Sequence, residues 1–142
     1  SVVEHRLTVP LDHSASGTAL SGDTITLFVR EMCLASKQSD EKLPYLLYLQ
    51  GGPGFPAGRP AVPPGGWHKA ALEKYRVLLL DQRGTGRSTA VTADSLAALG
   101  NPINQAAFLA HFRADAIVRD CELVRAHIAG GKRLTLLGQS FG

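Results

Sequence analysis

Polar and apolar residues alternate from Asp23 to Met32, with Ile25, Leu27 and Val29 on one face and Thr24, Thr26, Phe28 and Arg30 on the other. That period of two predicts a half-buried strand. Val2 to Pro10 alternates more loosely and is expected at a sheet edge, and the Ser-, Gly-, Asp- and Thr-rich stretch Leu11 to Gly22 between the two reads as a turn. The pattern then changes. Tyr45 to Leu49 (YLLYL) and Arg76 to Leu80 (RVLLL) carry unbroken apolar runs, as strands buried on both faces do. Ser36 to Lys42 is a polar loop, and Gly51 to Gly66, with six Gly and five Pro, is another. Trp67 to Lys74 is long enough for a short helix, and Gln82 to Thr92 is a polar turn region. From Gln105 to Ile128 the period becomes helical: Ala110, Ala114, Ile117, Cys121, Val124 and Ile128 recur at steps of four and three. Asn104 is the expected N-cap of that helix and Gly130 its stop. Lys132 to Leu137 is the last strand. Buried strands separated by helices predict an α/β fold, a mostly parallel sheet preceded by an antiparallel N-terminal hairpin.

Composition narrows the function classes. The chain has 142 residues, enough for one domain with a core, and 44% of them are hydrophobic. A net charge of +3 from 15 basic and 12 acidic residues, with no Lys/Arg run, gives no footprint for nucleic acid. The longest apolar runs are strand-sized, so no membrane partner is expected. No stretch has the layout of a secretory signal, and the first residue is Ser. Cys33 and Cys121 make neither a metal spacing nor a disulfide framework. They read as buried reduced thiols, which fits a cytoplasmic location.

The candidate chemistry lies where strands end. Gly138-Gln139-Ser140-Phe141-Gly142 follows the last strand and has the Gly-x-Ser-x-Gly spacing of a nucleophile elbow. Small residues on both sides of the serine are needed because its backbone is strained and its neighbours pack close. Ser140 is the candidate nucleophile, and the N–H of Phe141 the first candidate oxyanion donor. Gln50 to Phe55 (QGGPGF) follows the first buried strand, where a glycine-rich turn exposes backbone N–H groups; Gly52 is assigned as the second donor. A phosphate loop fits poorly there, because neither Gly-x-Gly-x-x-Gly nor a Gly-Lys-Ser/Thr ending is present and Pro53 removes a donor. Asp81 to Ser88 (DQRGTGRS) follows the second buried strand and reads as a structural turn, tied by Asp81 to Arg83 or Arg87. No pair of the five histidines has metal spacing, and all five read as structural or solvated. No metal and no cofactor are expected.

Together, Gln-Gly-Gly-Pro-Gly at 50 to 54, Asp-Gln-Arg-Gly-Thr-Gly-Arg-Ser at 81 to 88 and Gly-Gln-Ser-Phe-Gly at 138 to 142 resemble the prolyl aminopeptidases (proline iminopeptidases), serine peptidases of the α/β-hydrolase fold. Phe112 to Asp120 is similar to the helix before their nucleophile. The resemblance departs at Gln50, where many members carry His. It implies attack by Ser140 on the carbonyl of an N-terminal proline in a peptide, with Gly52 and Phe141 holding the oxyanion. It also implies that residues 1–142 are the N-terminal part of a hydrolase core ending at the elbow. The catalytic His and Asp and the cap domain would then come from the remainder of the hydrolase, in the same or a second chain, and the fragment alone would be inactive. A tripeptidyl aminopeptidase, an esterase and a non-catalytic fragment are the alternatives; an epoxide hydrolase is disfavoured because it places Asp at the elbow.

Overall fold

The computed structural model describes residues 1–14, 23–60 and 64–142. A five-stranded sheet runs β1 (Val2–Pro10), β2 (Thr24–Met32), β4 (Arg76–Asp81), β3 (Tyr45–Leu49), β5 (Leu134–Gly138) across its width. β1 and β2 pair antiparallel over their whole lengths, Val2 opposite Met32 and Pro10 opposite Thr24, and β2 runs antiparallel to β4. β4, β3 and β5 are mutually parallel. The mixed sheet with its antiparallel start is thus the one expected from the apolar pattern. Part of the turn assigned to Leu11 to Gly22, and residues 61–63 of the glycine- and proline-rich loop, lie outside the described residues.

The buried strands are apolar on both sides because both sides are covered. Leu47, Leu78 and Leu80 join Val9, Ile25, Leu27 and Val29 under Val124 of α4 (Ala114–His127). On the other face Leu46, Tyr48, Val77 and Leu79 pack with Met32 against Leu72 and Trp67 of α1 (Gly66–Leu72). Burying a side chain of that size contributes roughly 1.5–3 kcal/mol. β2 departs from the half-buried expectation at Phe28, which is only 2% exposed. Its ring lies under the guanidinium groups of Arg6, Arg30 and Arg87 rather than facing water.

The single long helix expected from Gln105 to Ile128 is not formed. α2 (Ala93–Ala97), which the sequence reading missed, is followed by α3 (Pro102–Leu109), a 3-10 turn over Ala110–Phe112, and α4. Asn101, not Asn104, caps α3, its side chain accepting from the Asn104 N–H. Arg113 is extended (φ −85°, ψ 168°) and separates the helices. The cause is tertiary: the His111 carbonyl accepts from Arg83 Nη1 at 2.6 Å, so it is taken up outside the helix ladder. The apolar stripe survives in part within α4, where Ile117 and Val124 are buried, but a buried Asp120 interrupts it.

Candidate active site

β3 is flanked by β4 on one side and β5 on the other. The connection after β3 runs to β4 on one side while β5 lies on the other, and open α/β sheets bind ligands at the carboxyl ends of their strands beside such a change of direction. Both candidate loops start there, since Leu49 is the register partner of Gly138.

After β5 the chain reverses through Gln139 to Gly142. The Gln139 N–H donates to Leu49 O (3.1 Å), and the Gly142 N–H donates back to Gln139 O (3.0 Å). Ser140 sits inside this turn with φ 58°, the one non-glycine residue at positive φ among the described residues. That conformation costs an L-residue roughly 1–2 kcal/mol, so the surroundings must hold it. The flanking glycines allow them to. A Cβ on Gly142 would lie 1.9 Å from Leu49 O, and one on Gly138 would lie 2.3 Å from Gly142 O. Ser140 itself is exposed.

The glycine-rich loop lies directly against this turn. A Cβ on Gly51 would meet Gln139 O at 2.2 Å and Ser140 Cβ at 2.6 Å. Sequence reasoning chose Gly52 as the donor and gave Gly51 no separate role; three glycines in a row of four carry no signal for which one touches the serine. Gln50, the position where the resemblance departs, bridges the two loops. Tyr48 Oη donates to Gln50 Oε1 (2.7 Å), and Gln50 Nε2 donates to Gln139 Oε1 (3.2 Å). The N–H groups of Gly52 and Phe141 donate to no acceptor among the described residues.

Asp81 holds the outer part of the same loop. Its Oδ1 accepts from the Ala57 N–H (3.0 Å) and its Oδ2 from the Arg87 N–H (2.8 Å), and the residue is buried. The expected tie between Asp81 and an arginine side chain is thus replaced by two backbone donors. They satisfy a buried carboxylate without leaving a second charge underground. Arg83 goes elsewhere. Its guanidinium, fully buried, donates to both Asp120 oxygens (2.6 and 2.7 Å) and to the carbonyls of Pro10, Leu11 and His111. His13 Nε2 lies 2.8 Å from Asp120 Oδ1. This cluster ties the end of β1, the turn after β4 and α4 together.

No histidine contacts Ser140. His5 pairs with Glu31, which also takes Arg76 (both 2.7 Å), and His127 Nδ1 is 2.8 Å from the Leu123 carbonyl. His68 stacks on Trp67, and burial pulls its pKa below the ordinary imidazole value. Among the described residues no group of three or more His, Cys, Asp and Glu is placed to hold a metal ion. The elements gather a candidate nucleophile in strained backbone and two N–H groups without acceptors among the described residues. Among the described residues they bring no general base to it.

Comparisons with known proteins agree with the motifs. No protein-family model matches the chain. It is 56% identical over 138 residues to a proline iminopeptidase of Aeromonas sobria, covering 97% of this chain and 31% of that protein. It is 43% identical over 145 residues to a proline iminopeptidase of Aspergillus aculeatus, covering 98% of this chain and 31% of the relative. The chain therefore spans about a third of the length of these relatives. Among solved structures, a homoserine O-acetyltransferase from Staphylococcus aureus superposes with a TM-score of 0.52 at 18% identity, over 99% of this chain and 39% of that one. That likeness concerns the fold, which is of the α/β-hydrolase type with a mixed sheet. The similarity to proline iminopeptidases runs along nearly the whole chain, as the three motifs imply.

Proposed function

We propose that this chain is the N-terminal part of a serine aminopeptidase that releases proline from the N-terminus of peptides through an acyl-enzyme on Ser140. The observation that carries the reading is Ser140 at φ 58° in a turn directly after a parallel strand. A serine held there at a conformational cost, with its hydroxyl exposed, is best explained by the chemistry of that hydroxyl. The identity to proline iminopeptidases supplies the substrate class.

In this mechanism Ser140 Oγ attacks the prolyl carbonyl, its proton passes to a histidine, and the peptide amine departs with that proton. Water then cleaves the ester and regenerates the serine. The N–H groups of Gly52 and Phe141 stabilise the oxyanion in both steps. Gly51 lets the loop that carries Gly52 approach the elbow, and Gln50 bridges the two donor loops. The histidine and the acid that orients it are supplied from outside these 142 residues. A serine without its base is a weak nucleophile, so the chain alone does not turn over.

The test is hydrolysis of prolyl-p-nitroanilide by the full-length protein and by the 142-residue chain. Full-length protein should be active, the short chain inactive, and Ser140→Ala should lower kcat by at least about 10⁴-fold. Turnover by Ser140→Ala at the parent rate would remove the nucleophile assignment. Activity toward esters alone would instead remove the substrate class.

A further inference from the structure

Among the described residues, the face of the β1–β2 hairpin that carries Phe28 is covered by arginines. Glu4 is the register partner of Arg30, and Arg6 that of Phe28, so all four side chains share this face. The guanidinium carbons of Arg87, Arg30 and Arg6 lie 4.4, 5.4 and 5.6 Å from the Phe28 ring centroid. Beside them opens a cavity of about 370 Å³, lined by Phe28, Arg30, Arg59, Asp81 and Arg87 among others. Three arginines, Arg30, Arg59 and Arg87, and one acid, Asp81, line it, with Glu4 and Arg6 on the neighbouring strand β1. Asp81 is already engaged by two backbone N–H groups. Asp81 keeps its charge, but among the described residues Glu4 is the carboxylate that pairs directly with Arg30 and Arg87.

Glu4 shows how that charge is used. Arg30 Nη2 and Arg87 Nη1 both donate to the same oxygen, Glu4 Oε1, at 2.9 and 2.8 Å. Two guanidinium groups converging on one oxygen is the arrangement that recognises phosphate and carboxylate. Arg6 adds one long contact to the Arg87 carbonyl, and the Arg59 side chain donates to no acceptor among the described residues. Most of the donors on the four forks are therefore open. Glu4 is an exposed residue on an edge strand, and it can rotate into water without uncovering the core.

We propose that this cavity binds a multi-oxygen anion, a phosphoryl or carboxylate group, for which Glu4 is the internal stand-in. The anion would sit between Arg30 and Arg87, with Arg59 closing over it. The location is separate from the elbow. The cavity lies between β2 and the loop after β4, and β5 is two strands beyond β4, roughly 10 Å at the usual strand spacing. It shares with the candidate active site only the loop that runs from Gly51 to Arg59, and the proposal does not depend on the peptidase reading.

Isothermal titration of the full-length protein with inorganic phosphate, and separately with citrate, at an ionic strength fixed by chloride, tests it. At least one anion should bind saturably. Glu4→Gln, which removes the competing carboxylate, should tighten that binding by about threefold or more. Arg87→Gln and Arg59→Gln should each weaken it by about fivefold or more; Arg59 is exposed, so that variant leaves the fold intact. Binding of phosphate alone assigns a phosphoryl ligand, and binding of citrate alone assigns a carboxylate. Absence of saturable binding by both anions, or binding indifferent to Glu4→Gln and Arg59→Gln, overturns the proposal.

Discussion

Asp81→Asn isolates the carboxylate that fastens the glycine-rich loop to the turn after β4. The substitution keeps the shape of the side chain and removes one acceptor. In the parent, Oδ1 and Oδ2 each take one backbone N–H, from Ala57 at 3.0 Å and Arg87 at 2.8 Å. An asparagine can present its oxygen to one of them only; its NH₂ then faces the other donor. One hydrogen bond to a charged acceptor, about 1.5–3 kcal/mol, is lost, and a buried N–H without a partner costs about 1–3 kcal/mol. These two figures overlap, and relief of the buried charge offsets part of them. The net expectation is a destabilisation of about 2–3 kcal/mol. Urea denaturation followed by tryptophan fluorescence should show it as a lowered midpoint at unchanged slope. Amide exchange adds a local readout, because the Ala57 and Arg87 amides should exchange faster by about 10- to 100-fold while those of β3 and β4 follow global stability. A midpoint shift worth less than about 0.5 kcal/mol, with both amides still protected, would refute the assignment of Asp81 as the fastener.

Three further expectations follow from the geometry. Gly51→Ala puts a methyl carbon 2.2 Å from Gln139 O and 2.6 Å from Ser140 Cβ, both on a turn that cannot move freely, so it should cost about 1–3 kcal/mol in a thermal melt. It should also abolish labelling of Ser140 by a serine-reactive phosphonate in the full-length protein; unchanged labelling would mean the loop does not rest on the elbow. Asp120→Ala strands the fully buried guanidinium of Arg83 and should cost about 3–5 kcal/mol, whereas Arg83→Met combined with Asp120→Leu should cost much less, both read by denaturant titration. Burial, with Asp120 and Glu122 alongside, pushes the Cys121 thiol up to about 12. It should therefore resist iodoacetamide at pH 8 in the folded chain and react in urea, as read by intact mass. Because the folded state keeps that proton above the ordinary thiol range, its share of stability is present below about pH 9 and declines from there toward pH 12.

The elements that were legible in the sequence are those whose pattern is local. YLLYL and VLLL are buried on both faces because helices cover both, and an unbroken apolar run of strand length bounded by turn residues is the local mark of such a strand. Gly-Gln-Ser-Phe-Gly was legible because strained backbone restricts which residues can stand beside it. Helical period over Gln105 to Ile128 predicts one helix because it says nothing about a carbonyl claimed from elsewhere. Arg83 lies 28 residues before His111 in the chain, and it takes that carbonyl out of the helix. Phe28 shows the same limit: alternation assigns it to the outer face but does not reveal the arginines of β1 and the loop after β4 that cover it.

What the sequence by itself determined is the kind of fold, the strand that ends in the candidate nucleophile and the glycines that let it turn, since each depends on residues within one turn of each other. Only the tertiary structure decided that Gly51 rests on Ser140, that Asp81 binds two backbone donors while Arg83 binds Asp120, and that three arginines cover Phe28 with two of them sharing Glu4. Those partners come from different strands and loops. Charge pairing is set by which groups the sheet order brings within about 3 Å, and neighbouring positions in the chain do not encode that distance.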